Sequence, residues 1–120
     1  MKKVLSGLIL LFFVSSFAFA QEMNDAVSMD GVIIDVESAN NNENNLADFI
    51  NTYTKDAALT PSAVASGYGI FLEDDYMKFD EESNAKIVEF LNKPESKLEV
   101  TVMVTIGKNN ILSLNSIENK

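Results

Sequence analysis

Two acidic runs, Glu73-Asp74-Asp75 and Asp80-Glu81-Glu82, and two tyrosines, Tyr68 and Tyr76, are the residues of this sequence whose types and spacing could carry chemistry. Carboxylates in pairs can share acid and base work when their surroundings split their pKa values. Several carboxylate oxygens together can hold a calcium ion, and Glu73, Asp74, Asp75 and Asp80 are the candidate ligands, although their spacing is not that of an EF-hand loop. The first run reads as a solvated turn. The second reads as a helix entry, with Asp80 as cap and negative charge where the helix dipole favours it. Together with Tyr53, Phe71 and Phe79, the two tyrosines could line a face for a sugar or a peptide. Phe71 and Phe79 read as core, whereas the polar tips of Tyr68 and Tyr76 tolerate partial exposure, which makes these two the candidate ligand-binding residues.

Residue content closes off other chemistry. The chain has neither cysteine nor histidine, so no thiolate or Ser-His nucleophile can be assembled. Tight zinc or copper binding through sulfur or imidazole is excluded on the same ground. Ser62, Ser66 and Ser83 stand in no recognisable arrangement with a lysine base. No cofactor is implied and the expectation is not an enzyme. Nine basic residues, all lysine, face 18 acidic ones for a net charge of −9, so phosphate backbones and anionic membrane surfaces are repelled and the expectation is no nucleic-acid partner.

The elements that must position these residues follow an apolar leader. Met1-Lys2-Lys3, the apolar run from Val4 to Phe13 and the small residues Ala18 and Ala20 read as a secretory signal peptide cleaved before Gln21. The run is shorter than the ~20 residues of a membrane-spanning helix, and there is no cysteine to acylate. The expectation is an exported protein, periplasmic or extracellular, with no stable membrane anchor after cleavage. Its organisation divides into a leader (1–20), a flexible polar segment (21–28) and a single domain (29–120).

Within that domain, 31–37 is β-branched and alternates Ile34/Val36 against Asp35/Glu37, which predicts a first strand. The asparagine-rich stretch 40–45 predicts a solvated loop. Leu46, Phe49, Ile50 and Tyr53 recur as one face of a helix ending before Pro61. Segments 67–72 and 76–79 flank an acidic turn and predict a β-hairpin, and a helix follows from Asp80 to about Lys93. Leu98, Val100, Val102, Val104 and Ile106 alternate with polar neighbours, which predicts a strand with five buried positions. Gly107 to Asn110 forms a turn, and 111–117 returns as the last strand. Five strands, with a helical connection between the first two and a helix between the third and fourth, match the element order of an OB-like Greek-key barrel. The fold class is α+β, mainly β, and an open sheet with one packed helix is the alternative.

The stretch Tyr53-Thr54-Lys55-Asp56-Ala57-Ala58-Leu59, then Pro61-Ser62-Ala63, Ser66-Gly67-Tyr68-Gly69 and Lys78-Phe79-Asp80, resembles a group of small exported bacterial proteins of OB-like element order. In that group an HTKDCAL segment and a further cysteine precede SGYG and a KFDE helix entry, and another cysteine follows the first strand. The resemblance runs from about Gly31 to Ile117 and implies fold and location more than activity. It places Tyr53 where those proteins carry histidine, and Ala57, Ala63 and Ser38 where they carry cysteine, so a metal site or disulfide of the group has no counterpart here. The reading is a non-enzymatic exported domain that binds a protein or small ligand in the cell envelope. An accessory subunit of an envelope complex, or a weak divalent-cation binder using its acidic loops, is the alternative.

Overall fold

The computed structural model describes residues 25–120; the leader and residues 21–24 lie outside the described residues. The fold is α+β. Its strands are β1 (Val27–Asp35), β2 (Tyr68–Phe71), β3 (Tyr76–Lys78), β4 (Glu99–Ile106) and β5 (Leu112–Asn119). Four short helices, α1 (Val36–Asn41), α2 (Leu46–Phe49), α3 (Lys55–Ala58) and α4 (Pro61–Ser66), connect β1 to β2, and α5 (Glu81–Leu91) lies between β3 and β4.

All strands belong to one antiparallel sheet in the order β3-β2-β1-β4-β5. β1 runs through its centre and changes partner midway, pairing with β4 from Val27 to Val32 and with β2 from Val32 to Asp35. Gly31 sits at that change. A Cβ there would lie 2.6 Å from the Phe71 carbonyl oxygen and 2.7 Å from Ile70 Cγ1, so only glycine lets the two backbones approach this closely. The sheet is not a closed barrel. Its edges, β3 and β5, touch at a single parallel bridge between Phe79 and Leu112, beside the Asp80 N–H that donates to the Leu112 carbonyl at 2.8 Å. Asp80 caps α5, so β3 ends after three residues and cannot run a ladder along β5.

The core centres on the alternation of β4. Val100, Val102 and Val104 are fully buried with Ile33, Ile70, Ile87, Leu91 and Leu112, and Leu114 is buried beside them. The apolar face is shorter than the five expected positions, because Leu98 precedes the strand half-buried and Ile106, at the sheet's end, is 38% exposed. In β5, Leu114 and Ile117 are three residues apart and strict alternation would send them to opposite faces. A bulge at Asn115 resets the register, so that Leu114 pairs with Val104 and Ile117 with Val102 on the core side.

Local chemistry moved several expected boundaries. β1 starts at Val27 and stops at Asp35, two residues before its expected end, because the Asp35 carboxylate accepts the Ser38 N–H and starts α1. That helix reaches into the asparagine-rich stretch expected to be loop. The helix expected from Leu46 to before Pro61 is broken into two single turns, α2 and α3, and Tyr53 between them leaves the helical path and is buried. Pro61 begins α4 rather than bounding a helix behind it. It occupies the first turn, where its missing N–H is harmless, after Thr60 as cap.

Candidate functional site

A cleft of about 510 Å³ opens between β3 and the β4–β5 turn, lined by Asp75, Tyr76, Met77 and Lys78 on one wall and Asn109, Asn110 and Ile111 on the other. The hairpin chemistry of both walls explains its shape. On the first wall the Leu72 N–H donates to the Asp75 carbonyl at 2.8 Å and closes the exposed acidic turn. On the second, Asn109 and Asn110 have φ of 59° and 61°, and the Ile111 N–H donates to the Lys108 carbonyl at 3.1 Å. This is the pattern of a type I′ turn, which asparagine tolerates at both central positions. A second hollow of about 270 Å³ lies on the other flank of Tyr76, walled by Phe71, Asp74 and Asp75 and by Ala39, Asn40, Glu43 and Leu46 of the helical connection.

Tyr76 is the one side chain expected to bind ligand that reaches these hollows. Its hydroxyl donates to the Ile34 carbonyl at 2.8 Å, and its ring covers Gly69, where a Cβ would meet Cζ at 2.4 Å. Burial, assisted by the negative charge of Asp35, holds the phenol far above its ordinary pKa. Tyr76 is thus a fixed, neutral, half-buried wall, with its ring and backbone available and its hydroxyl in use. A scan against protein-family models and searches of curated proteins and of solved structures find no match to this chain.

Tyr68 is not on a face at all. It is fully buried, its hydroxyl donates to the Ala58 carbonyl, and burial followed by the charge of Asp35 pushes its pKa up to about 12. Its position in β2 opposite Asp35 turns it inward, so the expected pair of open tyrosines reduces to Tyr76.

The acidic candidates stay apart. Glu73, Asp74 and Asp75 are exposed in the β2–β3 turn. Asp80 is committed to structure: Oδ1 accepts the Ser83 N–H at 2.9 Å and Oδ2 accepts the Ser113 hydroxyl at 2.6 Å. Burial alone would raise its pKa, but the bonds from Ser113 and Ser83, with the charge of Lys86, outweigh it and hold the carboxyl below its ordinary value. Among the described residues no three acidic side chains converge as metal ligands.

Two polar anchors escaped the sequence reading. Asp35, 1% exposed, was expected on the solvent side of its strand. Instead it accepts the Tyr53 hydroxyl at Oδ1 and the Ser38 N–H at Oδ2 (3.0 Å), while its own N–H donates back to the Tyr53 oxygen at 3.1 Å. Burial, then the hydrogen bond to Asp35, drives the Tyr53 pKa far up and keeps it a donor. Two of the four positions marked by the resemblance, 38 and 53, thereby meet at one carboxylate. Ala57 and Ala63 sit on α3 and α4 of the same connection. The second anchor is the Lys55 ammonium, which donates to the carbonyls of Lys93 (3.0 Å) and Ser96 (2.8 Å) and to the Ser96 hydroxyl (2.9 Å), tying the connection to the chain after α5. The spacing Asp35-x-x-Ser38 was a readable cap signal; nothing local in sequence linked Asp35 to Tyr53.

Proposed function

We propose that this chain is an exported, non-enzymatic cell-envelope domain that binds a protein or small ligand in the cleft between β3 and the β4–β5 turn. The cleft itself carries the reading: a concave surface with one rigid aromatic wall, backbone groups along a sheet edge and two asparagine amides is the arrangement of a binding site. The sheet is an OB-like Greek-key barrel left open along part of one seam. Its strand order, the position of α5 between β3 and β4, and the contact of the two edges at Phe79 and Leu112 support that reading, and barrels of this type bind extended ligands on the surface of their second and third strands. The leader sequence and the resemblance to small exported bacterial proteins support the address. Among the described residues no helix is long and apolar enough to cross a membrane.

Titration of the 15N-labelled protein, expressed from its full sequence, with mixtures of short peptides and oligosaccharides tests the binding reading. Amide shifts gathered at Asp75–Lys78 and Asn109–Ile111 are expected. Shifts gathered elsewhere, or none at millimolar ligand, overturn it. Intact mass of the same preparation from the exported fraction tests the address: a chain beginning at Gln21 is expected, and one retaining Phe17 to Ala20 contradicts the cleavage.

A further inference from the structure

Resting on the cleft-binding reading, we infer that the occupant of the cleft is an extended polypeptide segment of a partner protein, added as a strand along β3. The argument comes from hydrogen-bond parity. In an antiparallel pair, residues alternate between exchanging bonds with the neighbouring strand and pointing their N–H and C=O away from it. The Phe79 N–H donates to the Tyr68 carbonyl at 3.0 Å and the Leu72 N–H to the Asp75 carbonyl at 2.8 Å. With Ile70 opposite Met77, these bonds put positions 75, 77 and 79 in contact with β2. The N–H and C=O of Tyr76 and the N–H of Lys78 therefore point out of the sheet, and both residues line the cleft.

The opposite edge is covered over its first half, at Leu112 and Leu114, while Ile117 beyond the bulge, opposite Val102, turns its N–H and C=O outward beside a smaller hollow of about 230 Å³ along α5. On β5, the Leu112 carbonyl accepts the Asp80 N–H, the Leu114 N–H donates to Ser83 Oγ at 2.7 Å, and the Leu114 carbonyl accepts the Lys86 ammonium at 3.3 Å. Folded proteins cover or blunt strand edges because bare ones recruit other chains. Here the β5 edge is stitched to α5 and its cap at Leu112 and Leu114, and the β3 edge faces the larger cleft of about 510 Å³. Backbone pairing supplies affinity in this mode of recognition, and alternate side chains supply specificity. A residue opposite Met77 would share its face with Ile70, which is fully buried; its neighbours would share the face of Tyr76 and Lys78, beside the amides of Asn109 and Asn110. The segment recognised is thus an apolar β-branched residue between polar ones.

The probe is the peptide acetyl-Thr-Thr-Val-Thr-Thr-amide, titrated into the 15N-labelled protein, alongside the same peptide N-methylated at its threonines. N-methylation removes strand donors and keeps every side chain. Shifts at Tyr76, Met77, Lys78 and Asn109–Ile111 with the plain peptide are expected, with affinity lower by at least about tenfold for the methylated one, the scale of one or two lost hydrogen bonds. Lys78→Pro, which removes the outward N–H together with the lysine side chain, is expected to weaken binding in the same direction; the methylated peptide isolates the backbone donors on unaltered protein. Equal binding of the two peptides, or no binding of either, overturns strand addition. Maltotriose shifting the cleft amides where the peptide does not would overturn it while leaving the cleft-binding reading standing; silence from both ligands would sink the two together.

Discussion

The two edges of the sheet are built from the same kind of backbone and finished differently beside α5. Along β5 the outward-facing groups of Leu112 and Leu114 meet Asp80, Ser83 and Lys86 from α5 and its cap, and Ser113 adds its hydroxyl to the Asp80 carboxylate. Along β3 the outward-facing groups of Tyr76 and Lys78 meet a cleft. The difference teaches where this fold spends polar side chains. They close the β5 edge at Leu112 and Leu114, where it packs on the domain's own helix, and leave the outward groups of Tyr76 to the cleft.

Both edges hang on one core, so the largest effect comes from striking its centre. Val102→Asp places a carboxylate at a fully buried position, and the expected cost is several kcal/mol out of a total of ~5–15. Urea melts read it: the variant should be largely unfolded or shifted far toward low denaturant, and a midpoint near wild type would mean that β4 faces the other way. Thr101→Ala, on the opposite face and bonded only to Asp30 at 2.7 Å, is the mild control.

Ser83→Ala attacks the covered edge alone. It strands the buried Leu114 N–H, and a loss of about 1–3 kcal/mol is expected by denaturant unfolding. A loss within error would mean that water or another group covers β5 as well as Ser83 does.

Asp80→Asn separates the charge of that edge from its geometry. Because the folded-state carboxyl sits below its ordinary value, its contribution is present in full above the unfolded value of ~4 and fades as pH falls through the folded value. Asparagine caps nearly as well as aspartate, so only the charge is lost, and the variant should be less stable than wild type near neutrality by about 0.3–1 kcal/mol, with the gap narrowing as pH drops below about 4. A gap that widens on acidification would reverse the assigned sign.

Lys78→Pro should move stability least, by about 0.5 kcal/mol or less, because proline is tolerated on an edge strand whose N–H faces outward. A drop as large as that of Ser83→Ala would show that the β3 edge is already paired inside the domain.

Much of the scaffold was readable because it is periodic or capped. The alternation from Val100 to Val104, the β2–β3 hairpin around Glu73-Asp74-Asp75, the turn at Asn109-Asn110 and the Asp80 cap all announce themselves within a few residues. The connection from Val36 to Gly67 was read poorly, because single long-range bonds hold it. Asp35 and Tyr53 are 18 residues apart, and Lys55 reaches Ser96 across 41; periodicity does not encode such pairs. The candidate site was legible only in Tyr76. Whether Tyr68 faced a ligand or the core depended on its register opposite Asp35, and the bareness of the β3 edge is a property of the assembled sheet that no local pattern carries.

Amide hydrogen exchange along β3 is the most direct test of the open edge. The amides of Met77 and Phe79, which face β2, should be protected, while those of Tyr76 and Lys78, which face the cleft, should exchange far faster; on adding acetyl-Thr-Thr-Val-Thr-Thr-amide the Tyr76 and Lys78 amides should slow. Equal protection of all four amides in the free protein would contradict the account, because it would mean that the edge proposed for a partner strand is already closed.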